Sequence, residues 1–384
     1  MDNKILGYLR ENGKVGVRNH VLIIPVDDIS NSAAVAVENI IQGTLAIPHH
    51  YGRLQFGKDL DLFFETMIGT GRNPNVAAAI IVGIEPNWTN KIAEGIAETG
   101  KPVEAFYIEK NGELKAIEKM ARSATKLVEY ATNLKKELVD FSELTISLKC
   151  GESDTTSGLA SNRVVGRFVE NFLQENGTVL FGETTELTGA EHIIAERFKK
   201  EEDRNKFLKI FNDYQELIKS QGVDLLGSQP TQGNIEGGLS TIEEKALGNI
   251  QKIGNAKIDS ALDYGELPVG KGLHFMNTSS AAAEAVTLFA AAGAVIHLFP
   301  TGQGNIIGNP VIPVLKITAN PKTANFMSEH IDLNVSGLLK LNGSLNDHAE
   351  NLWNKIIETA NGKLVRAEIL KHREFVLTKL YPSA

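Results

Sequence analysis

The chain of 384 residues carries 42% hydrophobic and 22% charged residues with a formal net charge of −8, the balance of an ordinary globular protein and not of a disordered one. The acidic balance, with no Lys/Arg-rich tract interleaved with aromatics, argues against nucleic acid or an anionic membrane as the main partner. One cysteine, Cys150, excludes an internal disulfide and any Cys-rich zinc or iron–sulfur centre built by this chain alone, and fits a reducing cytoplasm.

The opening M-D-N-K-I-L-G-Y lacks the apolar core of a signal peptide, and the most apolar segment, Ala281 to Phe299, is interrupted by Glu284, Gly293 and His297. The length predicts two domains. Alternation of short apolar runs with longer amphipathic ones predicts an α/β protein with mostly parallel sheets. In chain order the expected elements are a strand at Val21–Val26, a helix at about Ser32–Ile41, a strand at Ala78–Val82, a helix near Asn90–Thr99, a strand at Val103–Ile108 and a long helix at about Leu114–Val139. The boundary is placed near 140, giving an N-terminal Rossmann-like α/β domain at 1–140 and a C-terminal α/β domain at 141–384. The second half restarts with a strand at Thr145–Lys149, a helix at Leu159–Gln174, a strand at Thr178–Phe181 and a helix at Ala190–Lys219. After a Gly-rich loop come a helix at Thr241–Lys252, a strand at Leu273–Met276, a helix at Ser280–Ala292 and strands at Ala294–Phe299 and Val311–Thr318.

Ligands of open α/β sheets bind outside the carboxyl ends of the strands, so the polar residues that follow apolar runs are the candidate site. Four such clusters occur. K-C-G-E-S-D-T-T-S-G (Lys149–Gly158) ends a strand; Asp154 or Ser157 can cap the next helix, which leaves Lys149 unexplained. In G-E-T-T-E-L-T-G-A-E-H (Gly182–His192), Thr188 and Glu191 read as a capping box. Glu183, Glu186 and His192 are then expected to face the crevice, suited to a divalent cation or to acid/base work. In G-N-I-E-G-G-L-S-T-I-E-E-K-A-L-G (Gly233–Gly248), Ser240 and Glu243 read as a second capping box. The paired glycines Gly237 and Gly238 are either an anion cradle or a tight turn. P-T-G-Q-G-N-I-I-G-N-P (Pro300–Pro310) has the wrong spacing and the wrong following element for a dinucleotide fingerprint. There is no G-x-S-x-G elbow, P-loop or H-E-x-x-H.

Together with G-Y-L-R-E-N-G-K-V-G-V-R-N-H (Gly7–His20), these motifs resemble the altronate/galactarate dehydratase family, which includes the large subunit of a sulfo-lyase acting on sulfolactate, and it is that branch whose layout is most similar. The resemblance runs from Gly7 to about Val335. It implies β-elimination on a hydroxy or sugar acid such as altronate, galactarate or sulfolactate, expelling water or sulfite, with a divalent metal, iron or manganese. Such chemistry needs a base aligned with a proton α to a carboxylate and an electrophile for the resulting dianion. On that template Lys149 or His192 is the base or acid, a lysine base requiring burial to lower its pKa. Glu183 and Glu186 hold metal or orient the base. Arg18, Asn19, His20, Asp154, Ser157, Asn234, Gly237 and Gly238 take the substrate, and Glu244 with Lys245 is either an active-site pair or a surface ion pair.

Three cysteines of the family pattern are missing: the corresponding stretches read V-D-D-I-S-N, H-H-Y-G-R and V-G-I-E-P-N. If those thiols hold iron in relatives, this chain either uses other ligands such as Asp27, Asp28, His49, His50 or Glu85 or binds no metal there, and Arg53 there favours an anion. The metal candidates are therefore His49, Glu183 and His192. Without His/Asn partners, Cys150 reads as a packed residue beside the site and not as a nucleophile. The expected partners are a small anionic hydroxy acid, further copies of the chain in a homo-oligomer, and a small subunit supplying the extra N-terminal domain of some relatives. The competing reading is a non-catalytic paralogue that binds an anionic metabolite or a partner.

Overall fold

Val76–Gly83 is V-A-A-A-I-I-V-G and buried at every position, and a strand that is apolar on both faces must be covered on both. The computed structural model, which describes residues 3–225 and 229–384, satisfies this with helices on either side of parallel sheets. The strands are β1 (Lys4–Leu9), β2 (Val15–Gly16), β3 (His20–Pro25), β4 (Thr44–Ala46), β5 (Val76–Gly83), β6 (Val103–Tyr107), β7 (Glu137–Asp140), β8 (Thr145–Leu148), β9 (Thr178–Phe181), β10 (Ser260–Leu262), β11 (Gly272–Met276), β12 (Ile296–Pro300), β13 (Val314–Thr318) and β14 (Leu333–Asn334). They form a four-stranded parallel sheet β4-β3-β5-β6 and a seven-stranded parallel sheet β10-β11-β9-β8-β12-β13-β14. A small antiparallel sheet β2-β1-β7 accompanies them. The α/β fold with mostly parallel sheets is thus present.

Successive residues of β3 point to different cores. Val21 and Ile23 pack with helices Asn31–Ile40 and Glu113–Asn133. Leu22 and Ile24 belong to a core that also takes Leu62, Phe63 and Met67 from helix Gly57–Arg72 and Val286 and Phe289 from helix Ala282–Ala291. The two halves of the chain therefore share buried surface. The C-terminal segment adds polar ties, with Leu380 N–H donating to Asp59 (2.9 Å) and Arg373 paired with Glu38 (2.9 Å).

Several expectations need correction. The long helix stops at Asn133, and Glu137–Asp140 is β7, because Ile5 and Leu6 of β1 supply pairing partners from more than a hundred residues away. The expected helix at Ala190–Lys219 is two, Glu191–Ala195 and Glu201–Ser220. Between them Phe198 makes a parallel bridge to Ile258. Helix Gly57–Arg72, strands β1, β2, β4, β10 and β14, and helix Leu345–Ala360 had no counterpart in the sequence reading.

His20, where β3 begins, is held neutral: burial, then the nearby Arg18 guanidinium, push its pKa down to about 4. A folded-state pKa below the unfolded one means a contribution to stability that is complete above about pH 6.5 and is lost as pH falls towards about 4. Urea unfolding across that window should show a loss of ~3 kcal/mol in the native chain that is absent in His20→Gln.

Candidate active site

In the seven-stranded sheet the chain order reverses at β8, which has β9 on one side and β12 on the other. Such a switch point opens a crevice at the carboxyl ends of the strands. Lys149 and Cys150 directly follow β8, Glu183 lies two residues beyond β9, and Thr301 follows β12. Glu183 adopts a left-handed backbone (φ 71°), an unfavourable conformation for a residue with a Cβ. Its N–H donates to Thr278 Oγ1 (2.8 Å), which holds the turn and aims the carboxylate inwards.

That carboxylate is wholly buried between two lysines. Lys149 Nζ donates to Glu183 Oε1 (3.0 Å) and to the Cys150 carbonyl (2.6 Å), and Lys252 Nζ donates to Glu183 Oε2 and Asn249 Oδ1. Beside them Lys245 Nζ pairs with Glu186 Oε1 (3.2 Å) and donates to Asn234 Oδ1 (3.0 Å) and to Gln229 Oε1. Glu186 Oε2 is buried and has no hydrogen-bond donor among the described residues. Lys245, Asn249 and Lys252 reach the site from one helix-to-3₁₀ segment, Ile242–Ile253, at spacings of four and three that share a helix face. This segment comes close because Gly158 and Gly248 pack on one another: a Cβ on Gly158 would stand 2.9 Å from Gly248 Cα.

Burial by itself would pull the Lys149 ammonium down, but the Glu183 and Glu186 carboxylates hold it above the usual lysine range. Lys252 is likewise raised despite burial, by Cys150 and Glu183. Glu186 is held below the ordinary carboxylate range by Lys245, then Lys149 and Lys252, against the opposite pull of burial. Burial and then Glu183 push the Cys150 thiol up. At the formal charges of lysine and glutamate, the site sets three ammonium groups against two carboxylates, with the free Cys150 thiol beside them. The expectation of a lysine base made neutral by burial fails for Lys149, because the buried acids reverse the effect.

The predicted residues divide clearly. Lys149, Glu183, Glu186, Asn234 and Lys245 are brought together, while Glu244 is out at the surface accepting from Ser240. Asp154 and Ser157 lie alongside: Asp154 Oδ1 accepts from Ser157 N (3.1 Å) and Thr156 Oγ1 (2.6 Å), and Oδ2 from Asn320 Nδ2 (2.8 Å). With Ser153, Asn162, Arg163, Lys245 and Asn249 they line a pocket of about 280 Å³. Asn162 Oδ1 is buried there without a donor among the described residues.

His192 is exposed on the short helix Glu191–Ala195 and does not face the crevice. Thr188 does not cap that helix; its Oγ1 accepts from Gln215 (2.8 Å), and Glu191 instead accepts from Gly189 N–H (2.6 Å). The second cap is shifted by one residue, to Thr241 with Glu244 N (3.2 Å). Gly237 and Gly238 are no anion cradle, since their N–H groups donate to the carbonyls of Gly233 and Ile235 (2.9 Å each). His49 is no free metal ligand: Nε2 contacts the Pro25 carbonyl (2.8 Å) and Nδ1 accepts from Tyr51 N–H (3.2 Å). Glu85 caps helix Pro86–Ala97, and Arg53 pairs with Asp28 (3.1 Å).

Arg18, Asn19 and His20 are likewise structural. Arg18 grips Glu368 with two bonds (2.6 and 2.8 Å) and donates to the Val17, Thr359 and Lys363 carbonyls, and Asn19 donates to the Ala131 carbonyl (2.7 Å). Arg18→Met should destabilise the fold by about 3 kcal/mol, because Glu368 loses its partner in a mostly buried site. Urea unfolding checks the loss, and an unchanged KM would separate this role from substrate binding.

Lys252, Asn249, Gln229 and Asn162 are the site residues that sequence reasoning missed. The K-x-x-x-N-x-x-K spacing of 245, 249 and 252 on a segment whose remaining face is Ala246, Ile250 and Ile253 was a readable signal.

Cys150 Sγ and one carboxylate oxygen each of Glu183 and Glu186 lie within 4.8 Å of one another, a spacing that can hold a metal ion. The donors, however, are already engaged. Both Glu183 oxygens and Glu186 Oε1 carry ammonium partners, and a divalent ion would join three positive charges on side chains no more than 6% exposed. With the lysines protonated, the group does not fit a divalent metal.

Comparison with known proteins places this chain in a family. Residues 141–383 match the profile "D-galactarate/Altronate dehydratase, C-terminal", and residues 7–132 match "D-galactarate dehydratase/Altronate hydrolase, second domain". The chain is 57% identical over 381 residues to the (2R)-sulfolactate sulfo-lyase subunit beta of Chromohalobacter salexigens, covering 99% of this chain and 98% of that one. It is 30% identical to the altronate dehydratase of Bacillus subtilis (97% and 77% covered) and 29% identical to that of Escherichia coli (98% and 78%). With both profiles matched in order and the similarity spanning nearly every residue, the chain belongs to the D-galactarate/altronate dehydratase family.

Proposed function

We propose that the chain is the large subunit of a β-eliminating lyase that acts on a small 2-hydroxy acid, with sulfolactate the first substrate to test and altronate and galactarate next. The observation that carries this reading is the buried cluster at the β8 switch point, with one positive charge in excess of its carboxylates. An unbalanced buried cation is costly unless an anion completes it. The named relatives, which are dehydratases and a sulfo-lyase, support a hydro-lyase or a carbon–sulfur lyase.

The substrate enters by the pocket bounded by Asp154, Ser157, Asn162 and Arg163, where Asn162 Oδ1 can accept from its hydroxyl. Its carboxylate is drawn to the ammonium groups of Lys149 and Lys245. This contact leaves Glu186 with weaker cation partners and raises its basicity. Glu186 Oε2, the carboxylate oxygen of the cluster without a donor among the described residues, then takes the proton at C2. The ammonium groups stabilise the charge that builds on the substrate carboxylate. The electron pair forms the C2–C3 double bond and expels the group on C3: sulfite from sulfolactate, or hydroxide, protonated to water, from a sugar acid. The resulting enol takes up a proton at C3 and becomes a 2-oxo acid. No step is assigned to iron or manganese.

A relative named subunit beta implies a partner for that protein, and we extend this to the present chain: a small subunit completes or covers the site. Assay of the chain alone and with its partner on the three acids, following sulfite release and 2-oxo acid formation, tests the proposal. Sulfite and pyruvate formed in equal amounts would establish sulfolactate cleavage. Substrate binding without any product in every combination would reverse the assignment in favour of a binding protein. No helix among the described residues is long and apolar enough to cross a membrane.

A further inference from the structure

Lys252 has a surrounding that a lysine rarely has. Its Nζ donates to Glu183 Oε2 and to Asn249 Oδ1 and lies 3.7 Å from Cys150 Sγ, so each N–H has one acceptor. Two of these acceptors, Glu183 and Cys150, also belong to the trio spaced like metal ligands. Asn249 Oδ1 is in turn 3.2 Å from Cys150 Sγ. One thiol sulfur and two oxygens thus converge on a single point, as they would on a bound cation, and that point carries an ammonium group supplied by the chain itself.

We infer that Lys252 is the resident cation of this site: its ammonium group occupies the position that a metal ion held by Cys150 and Glu183 would take, and excludes a metal from it. The lysine is 2% exposed, as buried as the carboxylate it serves. Its stem rises from the 3₁₀ turn Ile250–Ile253, whose Ile250 and Ile253 are packed in the core, so the ammonium cannot swing out to water without unwinding that turn. A second cation at the same point would face Lys252 directly and Lys149 across Glu183. The inference concerns the cation position alone and stands or falls apart from the substrate proposed above.

Removing the built-in cation should create a metal site. Lys252→Ala leaves Cys150, Glu183 and Asn249 converging on a space the size of the lost amine. Co²⁺ is a suitable probe, because a cobalt–thiolate bond gives a charge-transfer band and binding to the native state raises the melting temperature. Titrated at mildly alkaline pH, the native chain is expected to show neither the band nor a thermal shift. Lys252→Ala is expected to take up one equivalent with both, the melting temperature rising by several degrees, and Lys252→Ala with Cys150→Ser is expected to lose the band. Should Lys252→Ala be too unstable to isolate folded, Co²⁺-dependent recovery of its circular dichroism serves as the same readout. A Cys150-dependent cobalt band in the native chain would overturn the inference, as would a Lys252→Ala variant that gains neither band, thermal shift nor recovered fold. These readouts need no substrate, so an inactive preparation leaves them intact, and turnover without the band would leave the proposed elimination standing on its own.

Discussion

Glu183→Gln should abolish turnover, lowering kcat by at least about 10³-fold, and should also cost the fold about 3–5 kcal/mol. Glu183 is the one acid that both Lys149 and Lys252 hold, and it is fully buried. Glutamine has nearly the same shape, so packing is preserved and the loss is electrostatic. Three buried ammonium groups would then face the single carboxylate of Glu186. The cluster can relieve this only by releasing a proton from a lysine or by admitting an anion or water. Urea unfolding with and without a competing anion separates the two routes, since an anion that replaces the missing charge should return part of the stability. A variant as stable as the parent would mean that the lysines are neutral, which contradicts the charge state on which the elimination scheme rests.

Lys149→Met should behave in the opposite way towards stability. The change removes one of three positive charges and leaves two lysines against two acids, with Lys252 still holding Glu183. Methionine fills a similar volume against the Phe299 ring, which lies 5.7 Å from Lys149 Nζ. Stability should therefore shift by no more than about 1 kcal/mol, because exchanging a buried ion for an apolar group of similar size is often neutral. Turnover should fall by about 10³-fold, since the group that draws in the substrate carboxylate and stabilises its growing charge is gone. Single-turnover measurement of 2-oxo acid formation at saturating substrate checks the loss in the chemical step. Turnover equal to that of the parent would remove Lys149 from the mechanism.

The contrast between these two variants follows from a charge count that only the fold supplies. Lys149, Glu183 and Glu186 could be singled out in the sequence because each follows an apolar run that had to be a strand, and strand ends are where such sheets bind ligands. Lys252 stands at the end of the helix expected at Thr241–Lys252, where only its spacing from Lys245 and Asn249 marks a shared face. His192 was included for its chemistry, but the short helix Glu191–Ala195 turns it to solvent. Arg18 looked like an anion ligand, and the anion it binds is Glu368, 350 residues further on. The family motifs around Arg18 and the paired glycines therefore mark places where the chain is tied together, and not only places where it meets a ligand.

Local order was the part determined by sequence alone. Periodicity identified the longer parallel strands β3, β5, β6, β8, β9, β11, β12 and β13 but not the two- and three-residue β4, β10 and β14, because only a sustained apolar run has to be satisfied between two layers. The same composition excluded an internal disulfide and argued against nucleic acid as the main partner, and the joint motifs indicated the family. Tertiary structure decided everything that depends on residues distant in the chain. Strand β7 exists because β1 pairs with it, and the helix expected at Ala190–Lys219 breaks where Phe198 meets Ile258. The protonation of the site was decided in the same way. Burial taken one residue at a time predicts a neutral Lys149. Burial beside charged neighbours drawn from separate segments keeps Lys149 and Lys252 protonated and Glu186 ionised, because inside a protein a charge is stabilised by its neighbours and not by water.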